Sequence, residues 1–235
     1  MTNEHIHSAF DTDLDGVQAE IMKMGGLVEN AIRLGMKALE TRDEDLAQQV
    51  RAADAEIDHL EETINERAAR IIALRAPTAI DLRLILSVIK ISSNLERIGD
   101  YAKNMAKRTE VLSNIAPISD SVGTLRRMTR AVEVMLKDAL DAYIHRDAAL
   151  AADVIARDVD VDQMYNALFR ELLTFMMEDP RNITACLHLH FISKNTERMG
   201  DHVTSIAEQV IYLATGMKPD EARPKADKTS TARGF

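Results

Sequence analysis

The heptapeptide NLERIGD at residues 94–100 returns 101 residues later as NTERMGD at 195–201. A second echo lies upstream of each. RDEDLAQQVRAADAEID at 42–58 and RDAALAADVIARDVDVD at 146–162 share Arg, Asp, Leu, Ala, Val, Ala, Asp and Asp in register, at an offset of 104. Two echoes in the same order make the chain a duplication of one unit of about 100 residues. The drift between the offsets falls near Pro77 and Pro180, where small length changes are tolerated. Whatever fold one copy takes, the other must be able to take as well.

Hydrophobic spacing says what that fold is. Apolar or small residues recur at intervals of three and four through Leu14, Val17, Ile21, Met24, Val28 and Ala31, and through Leu46, Val50, Ala53, Ile57, Leu60, Ile64 and Ile71. The same rhythm runs through Leu84, Val88, Ile91, Leu95, Ile98, Ala102 and Met105, and through Leu189, Ile192, Thr196, Met199, Val203, Ile206, Val210 and Leu213. This is the period of a helix-packing seam. Turn chemistry interrupts it at residues 41–43, 76–77, 113–117, 145–147 and 179–180. The spacing therefore predicts an all-α chain of six long helices in two tandem, similar three-helix bundles, residues 1–113 and 118–214. Connectors this short make sequential helices antiparallel. Residues 215–235, with their mixture of Pro, Lys and Asp, read as a disordered tail.

Composition excludes several functions. With 46% apolar residues the chain has material for a sizeable core, and a formal charge of −9 at a pI near 5.3 argues against a nucleic-acid partner, which needs a concentrated basic face. Its single cysteine, Cys186, excludes an intramolecular disulfide framework and suits a reducing compartment. No uncharged run approaches the roughly 18 residues of a membrane span, so no direct membrane insertion is expected.

Each copy carries two acidic pairs at i, i+4. These are Asp54 with Asp58 and Glu96 with Asp100 in the first, and Asp158 with Asp162 and Glu197 with Asp201 in the second. That spacing sets both carboxylates of a pair on one helix face, where they repel unless a cation intervenes. With Leu95 and Ile98 facing the bundle axis, Glu96 and Asp100 are expected to point outward, and Asp54 and Asp158 to flank their seams. Four oxygen donors converging between neighbouring helices suit Mg²⁺, Mn²⁺ or Ca²⁺, and carboxylate with water also holds iron. A solvated face balanced by Arg97, Lys103 and Arg198 is the alternative reading. Gly99 and Gly200 recur beside the acids, which implies close approach of a neighbouring helix or of a ligand. His190 and His202 are further candidate ligands, although the first copy has Ile89 and Tyr101 in their places.

Catalytic signatures are wanting in the sequence. Glu56 and His59 form the Glu-x-x-His of di-iron bundles, but that architecture wants it twice, and the second copy reads Asp160 to Gln163. A di-metal carboxylate enzyme and a scaffold without metal remain as alternatives. Cys186, on an apolar helix, reads as packing.

Residues 10–214 as a whole resemble the PhoU family of bacterial regulators of phosphate uptake. The stretches that carry the likeness are MGGLVENAI at 24–32, DAEIDHLE at 54–61, DLRLILSVIKISSNLERIGDYAKNMAKR at 81–108 and NTERMGDHVTSIAEQVIYL at 195–213. The resemblance implies a non-enzymatic cytoplasmic adaptor and negative regulator of the phosphate-starvation response. Its implied partners are the phosphate sensor histidine kinase, the ATPase subunit of the phosphate ABC transporter and a second copy of the chain, at the inner membrane only through those partners. It also implies metal clusters of iron, zinc or related cations on the four acidic pairs. Arg97 and Arg198, inside the motifs, are the expected partner contacts. Tyr101 departs from the family, which frequently has His there.

Overall fold

The structure, a computed structural model, describes residues 2–75, 77–118 and 121–219. These residues form six long helices and no strand. They are α1 (Thr2–Thr41), α2 (Glu44–Arg75), α3 (Ala79–Leu112), α4 (Ser121–His145), α5 (Ala148–Glu178) and α6 (Ile183–Thr215), with one 3₁₀ turn at Pro180–Asn182 before α6. The expected breaks hold to within a few residues. The tail expected from 215 onward lies, from residue 220, outside the described residues.

The duplicated Arg-Asp dipeptide explains why two of the turns fall where they do. Arg42 and Arg146 both adopt positive φ, 56° and 52°, and close the helices before them. The amides of Asp43 and Asp147 then donate back to the carbonyls of Ala38 (3.0 Å) and Ala142 (2.9 Å), the six-to-one bond of a Schellman ending. The same aspartates start the next helix. Asp43 Oδ1 accepts from the amide of Leu46 at 2.8 Å, and Asp147 Oδ1 from those of Ala149 and Leu150 at 2.9 and 3.0 Å. Helix α6 stops at Gly216, whose φ of 80° suits glycine; a Cβ there would also stand 2.6 Å from the Arg83 guanidinium.

Within each copy the three helices bury their seams against one another, and the two copies share one core. Ile21, Met24, Ile57, Ile91 and Ile98 of the first copy, and Leu136, Val161 and Val203 of the second, are essentially inaccessible. Each such side chain contributes roughly 1.5–3 kcal/mol by leaving water. α1 packs on α4, with Leu140 directly over Gly25.

The second contact between the copies is α3 on α6. Arg83 stacks on Tyr212 near one end, Asn94 meets His202 in the middle, and Arg108 meets His188 and Phe191 near the other. The two helices are therefore antiparallel. Because NLERIGD and NTERMGD lie at this crossing, the duplicated motifs face each other across a pseudo-two-fold relation.

The sequence reading of the acids needs correction. Asp54, Asp158, Asp162 and Glu197 are buried, at 4%, 1%, 3% and 5% exposure. Ala53, placed on the seam by spacing, is exposed, and Asp54 takes the inward position between Val50 and Ile57. Intervals of four-then-three and three-then-four both fit a 3.6-residue turn, so periodicity alone does not choose between them. Glu96, Asp100 and Asp201 are half-buried, and Asp58 alone of the eight is exposed.

Candidate functional site

In each copy the structure brings the two acidic motifs together across a helix pair. Gly99 lets α3 approach α2 closely, so that a Cβ at that position would sit 3.1 Å from Ile57 and 3.8 Å from Asp54 Oδ1. Gly200 does the same for α6 and α5, with Asp158 Oδ1 only 2.7 Å from where its Cβ would be. Both glycines thus serve helix contact, and the aspartates of α2 and α5 lie over the bare backbone they leave.

The first cluster holds more charge than spacing indicated. Glu61, one turn beyond Asp58, raises the pKa of both Asp58 and Glu96 and so belongs to the group. Its signal in the sequence was the i, i+3 spacing from Asp58; its second-copy counterpart is Tyr165, so the duplication did not mark it. Burial and then Asp54 push the Asp58 carboxyl up, Lys103 working against them. Glu96 is pushed up to about 7, by burial first and then by Asp100, to which it is hydrogen-bonded; Arg97 opposes the rise and Glu61 adds to it. Glu96 is therefore still partly protonated near neutral pH.

Cations already balance part of this charge. The Lys103 ammonium pairs with Asp54 Oδ2 and, at 3.3 Å, with Asp100 Oδ1. The hydrogen bond to Asp54 pushes the Lys103 pKa up further, against desolvation. Arg97 lies 3.5 Å from Glu96 and 3.9 Å from Asp100 with most of its side chain in solvent. In the second cluster Lys194 pairs with Glu197 at 2.9 Å and lies over the Tyr165 ring at 4.9 Å.

Neither histidine joins these acids. His190 packs among Tyr165, Phe169 and Phe191, and burial followed by Lys194 holds its pKa below the ordinary value. His202 Nδ1 bonds Asn94 Oδ1 at 2.8 Å, and its ring lies 5.7 Å from that of Tyr101. Burial, then Arg97, then Arg198 lower its pKa. Two guanidinium groups beside it disfavour a further cation, so His202 is a contact between the copies. The same observation places Arg97 and Arg198, both exposed, on one face at the crossing of α3 and α6. Glu56 is paired with Lys23 at 2.8 Å and half in solvent, so Glu56 and His59 form no buried di-metal centre. Cys186 is buried and its thiol is pushed up by desolvation, as packing requires.

Among the described residues, no three His, Cys, Asp or Glu side chains are grouped so as to hold a metal ion as they stand. The chemistry of the first cluster nonetheless fits a hard cation. Its donors are all oxygen, and it meets its surplus of negative charge with a lysine ammonium and a retained proton.

The family model described as the PhoU domain matches the chain twice, at residues 21–109 and 125–210. The chain belongs to the PhoU family. A Caulobacter vibrioides relative described as a phosphate-specific transport system accessory protein PhoU homolog is 45% identical over 227 residues, covering 97% of this chain and 99% of the relative. A Zymomonas mobilis protein of the same description is 48% identical over 222 residues, 94% and 93% of the two chains. The crystal structure of PhoU from Pseudomonas aeruginosa superposes with a TM-score of 0.85 at 42% identity, over 88% of this chain and all of the other. The phosphate transport system regulatory protein PhoU from Streptococcus pneumoniae gives 0.84 at 29% identity, over 90% of this chain and all of that one. The two PhoU-domain matches span α1 to α3 and α4 to α6, which agrees with the duplication.

Proposed function

We propose that this chain is the accessory regulator of a phosphate-specific transport system, a negative regulator of phosphate uptake and of the phosphate-starvation response. It acts as a cytoplasmic adaptor and not as an enzyme. Its partners are the ATPase subunit of the phosphate ABC transporter, the phosphate sensor histidine kinase and a second copy of itself, and it reaches the membrane through them. End-to-end similarity to the accessory proteins supports the transport role. No described helix is long and apolar enough to cross a membrane.

The observation that carries the rest is the excess of carboxylates at the two helix pairs. Asp54, Asp58, Glu96 and Asp100 would hold a cation in the first copy, and Asp158, Asp162, Glu197 and Asp201 in the second. Iron, zinc, manganese and magnesium are the candidates, and each would supply a fixed positive charge. The chain's own groups set the terms of binding. Glu96 must give up its proton, and Lys103 must release Asp54 and Asp100. Binding would therefore tighten as pH rises through about 7, the value at which Glu96 ionises. Arg97 and Arg198, on the face where the copies cross, are placed to read an acidic partner surface once the neighbouring carboxylates are neutralised.

The test replaces Glu96, Asp100, Glu197 and Asp201 with Ala in protein purified without a tag or chelator. Bound metal is measured by elemental analysis, and signalling by a phosphate-regulated reporter in high phosphate. The reading expects loss of metal together with derepression. Unchanged metal content and unchanged reporter output would sink the site. Derepression with metal retained would transfer these residues to partner contact.

A further inference from the structure

At the far end of the α3–α6 contact lies an open groove of about 410 Å³, lined by Asn104, Lys107, Arg108, His188 and Asn195. In a chain of net charge −9 this lining is unusual, because it contains two fixed cations, a histidine and two carboxamides, and no acid. Nor is the charge balanced from nearby. Among the described residues no carboxylate pairs with Lys107 or Arg108, whereas Lys103, one turn earlier on α3, is committed to Asp54 and Asp100.

The groove is also preorganised. The Arg108 guanidinium lies over the Phe191 ring, 4.2 Å from its centroid, which fixes its plane and leaves N–H edges free. Its Nη1 donates to His188 Nδ1 at 3.4 Å. Arginine offers no acceptor, so His188 Nδ1 must accept and the ring proton must sit on Nε2, which becomes a further donor. Burial holds both Arg108 and His188 below their ordinary pKa, and Arg108 lowers His188 further, which favours the neutral ring that accepts from Arg108.

The duplication supplies an internal control. Carried to the other copy, Asn104, Lys107, Arg108 and His188 correspond to Ser205, Glu208, Gln209 and Ser87, while Asn195 corresponds to Asn94. The shared scaffold therefore does not require the basic set, which the corresponding positions of the other copy lack.

We propose that this groove binds a phosphate-type oxyanion, with Arg108 and Lys107 supplying charge and His188, Asn104 and Asn195 supplying neutral donors. A tetrahedral oxyanion uses the fork of an arginine and several convergent N–H groups at once, which a single carboxylate does less fully. Two sources share this chemistry, free inorganic phosphate and the terminal phosphate of a nucleotide. The proposal stands apart from the metal reading, since it uses none of the acidic residues.

The test is calorimetric titration of the full chain with inorganic phosphate and, separately, with ATP. It is run at low chloride, on protein as purified and again after EDTA, so that no metal bridges ligand to carboxylate. Saturable binding is expected with at least one of the two ligands. Arg108→Gln and Lys107→Gln should each weaken it about tenfold or more, while Arg67→Gln, at a surface arginine paired with Glu20 beside the opposite end of α3, leaves it unchanged. Lys107 is exposed, so that variant tests the site without risk to folding. Tighter binding of ATP assigns the site to a nucleotide, and tighter binding of phosphate to the free ion. Failure of both ligands to bind the wild type, or equal binding by wild type and both groove variants, overturns the proposal.

Discussion

Replacing Glu96 with Gln isolates the most perturbed carboxyl of the first cluster. Gln keeps the shape of a protonated Glu and can still donate to Asp100, but it cannot ionise. In the wild-type fold Glu96 holds its proton up to about 7, against an ordinary 4.5. Between those values the folded protein retains a proton that the unfolded chain has released. The contribution to stability is therefore fully present below 4.5 and is lost as pH rises through 7. The full difference corresponds to ~3 kcal/mol; with 19% of the side chain exposed, solvent screening reduces this to about 1–2 kcal/mol. Urea unfolding of metal-free protein at pH 5 and pH 8 measures it. Wild type should lose about 1–2 kcal/mol more than Glu96→Gln over that interval. Asp58 and other groups titrate in both proteins and cancel in the comparison. Parallel pH profiles would show that burial and Asp100 do not hold the Glu96 proton, and the predicted pH dependence of metal affinity would fall with them.

Other substitutions test the packing and the cation exchange. Lys103→Met leaves the buried Asp54 without its partner and should cost about 3 kcal/mol in EDTA; added Mn²⁺ should restore much of the loss, and metal affinity no greater than wild type would contradict the idea that a cation takes the ammonium's place. Gly200→Ala should destabilise by ~1–3 kcal/mol despite a better helix former, because the new Cβ meets Asp158 Oδ1 at 2.7 Å. Gly99→Ala is crowded by Ile57 methyl groups, at 3.1 and 3.3 Å, and meets Asp54 Oδ1 only in ordinary contact at 3.8 Å, so it should stay within ~1 kcal/mol of wild type; thermal melts that rank the two glycine variants the other way would refute the packing account. Asp147→Ala removes two helix-capping bonds and should cost about 1 kcal/mol in the same assay.

Much of the architecture is legible in the sequence. Apolar spacing located the helices, and the duplicated Arg-Asp turns ended two of them, because both signals are local and a helix is a local structure. The acidic pairs were legible as pairs for the same reason. Their burial was not. Val50, Ala53, Ile57 and Val50, Asp54, Ile57 are equally good helical stripes, and only the approach of α3 through Gly99 decides which faces inward. Glu61 and Lys103 entered the cluster by the same route, across a helix pair.

The basic groove joins residues far apart in sequence. Overall charge argued against any concentrated positive face, and in the sequence Lys107 and Arg108 are only two adjacent residues of one helix. The antiparallel crossing of α3 and α6 sets them against His188 and Asn195, some 80 residues on, and leaves their charge unanswered. The sequence by itself determined the helices, the duplication and the inventory of charged groups. Which charges are buried, which are paired and which stand open was decided by tertiary packing, because those properties depend on what the neighbouring helix places opposite each side chain.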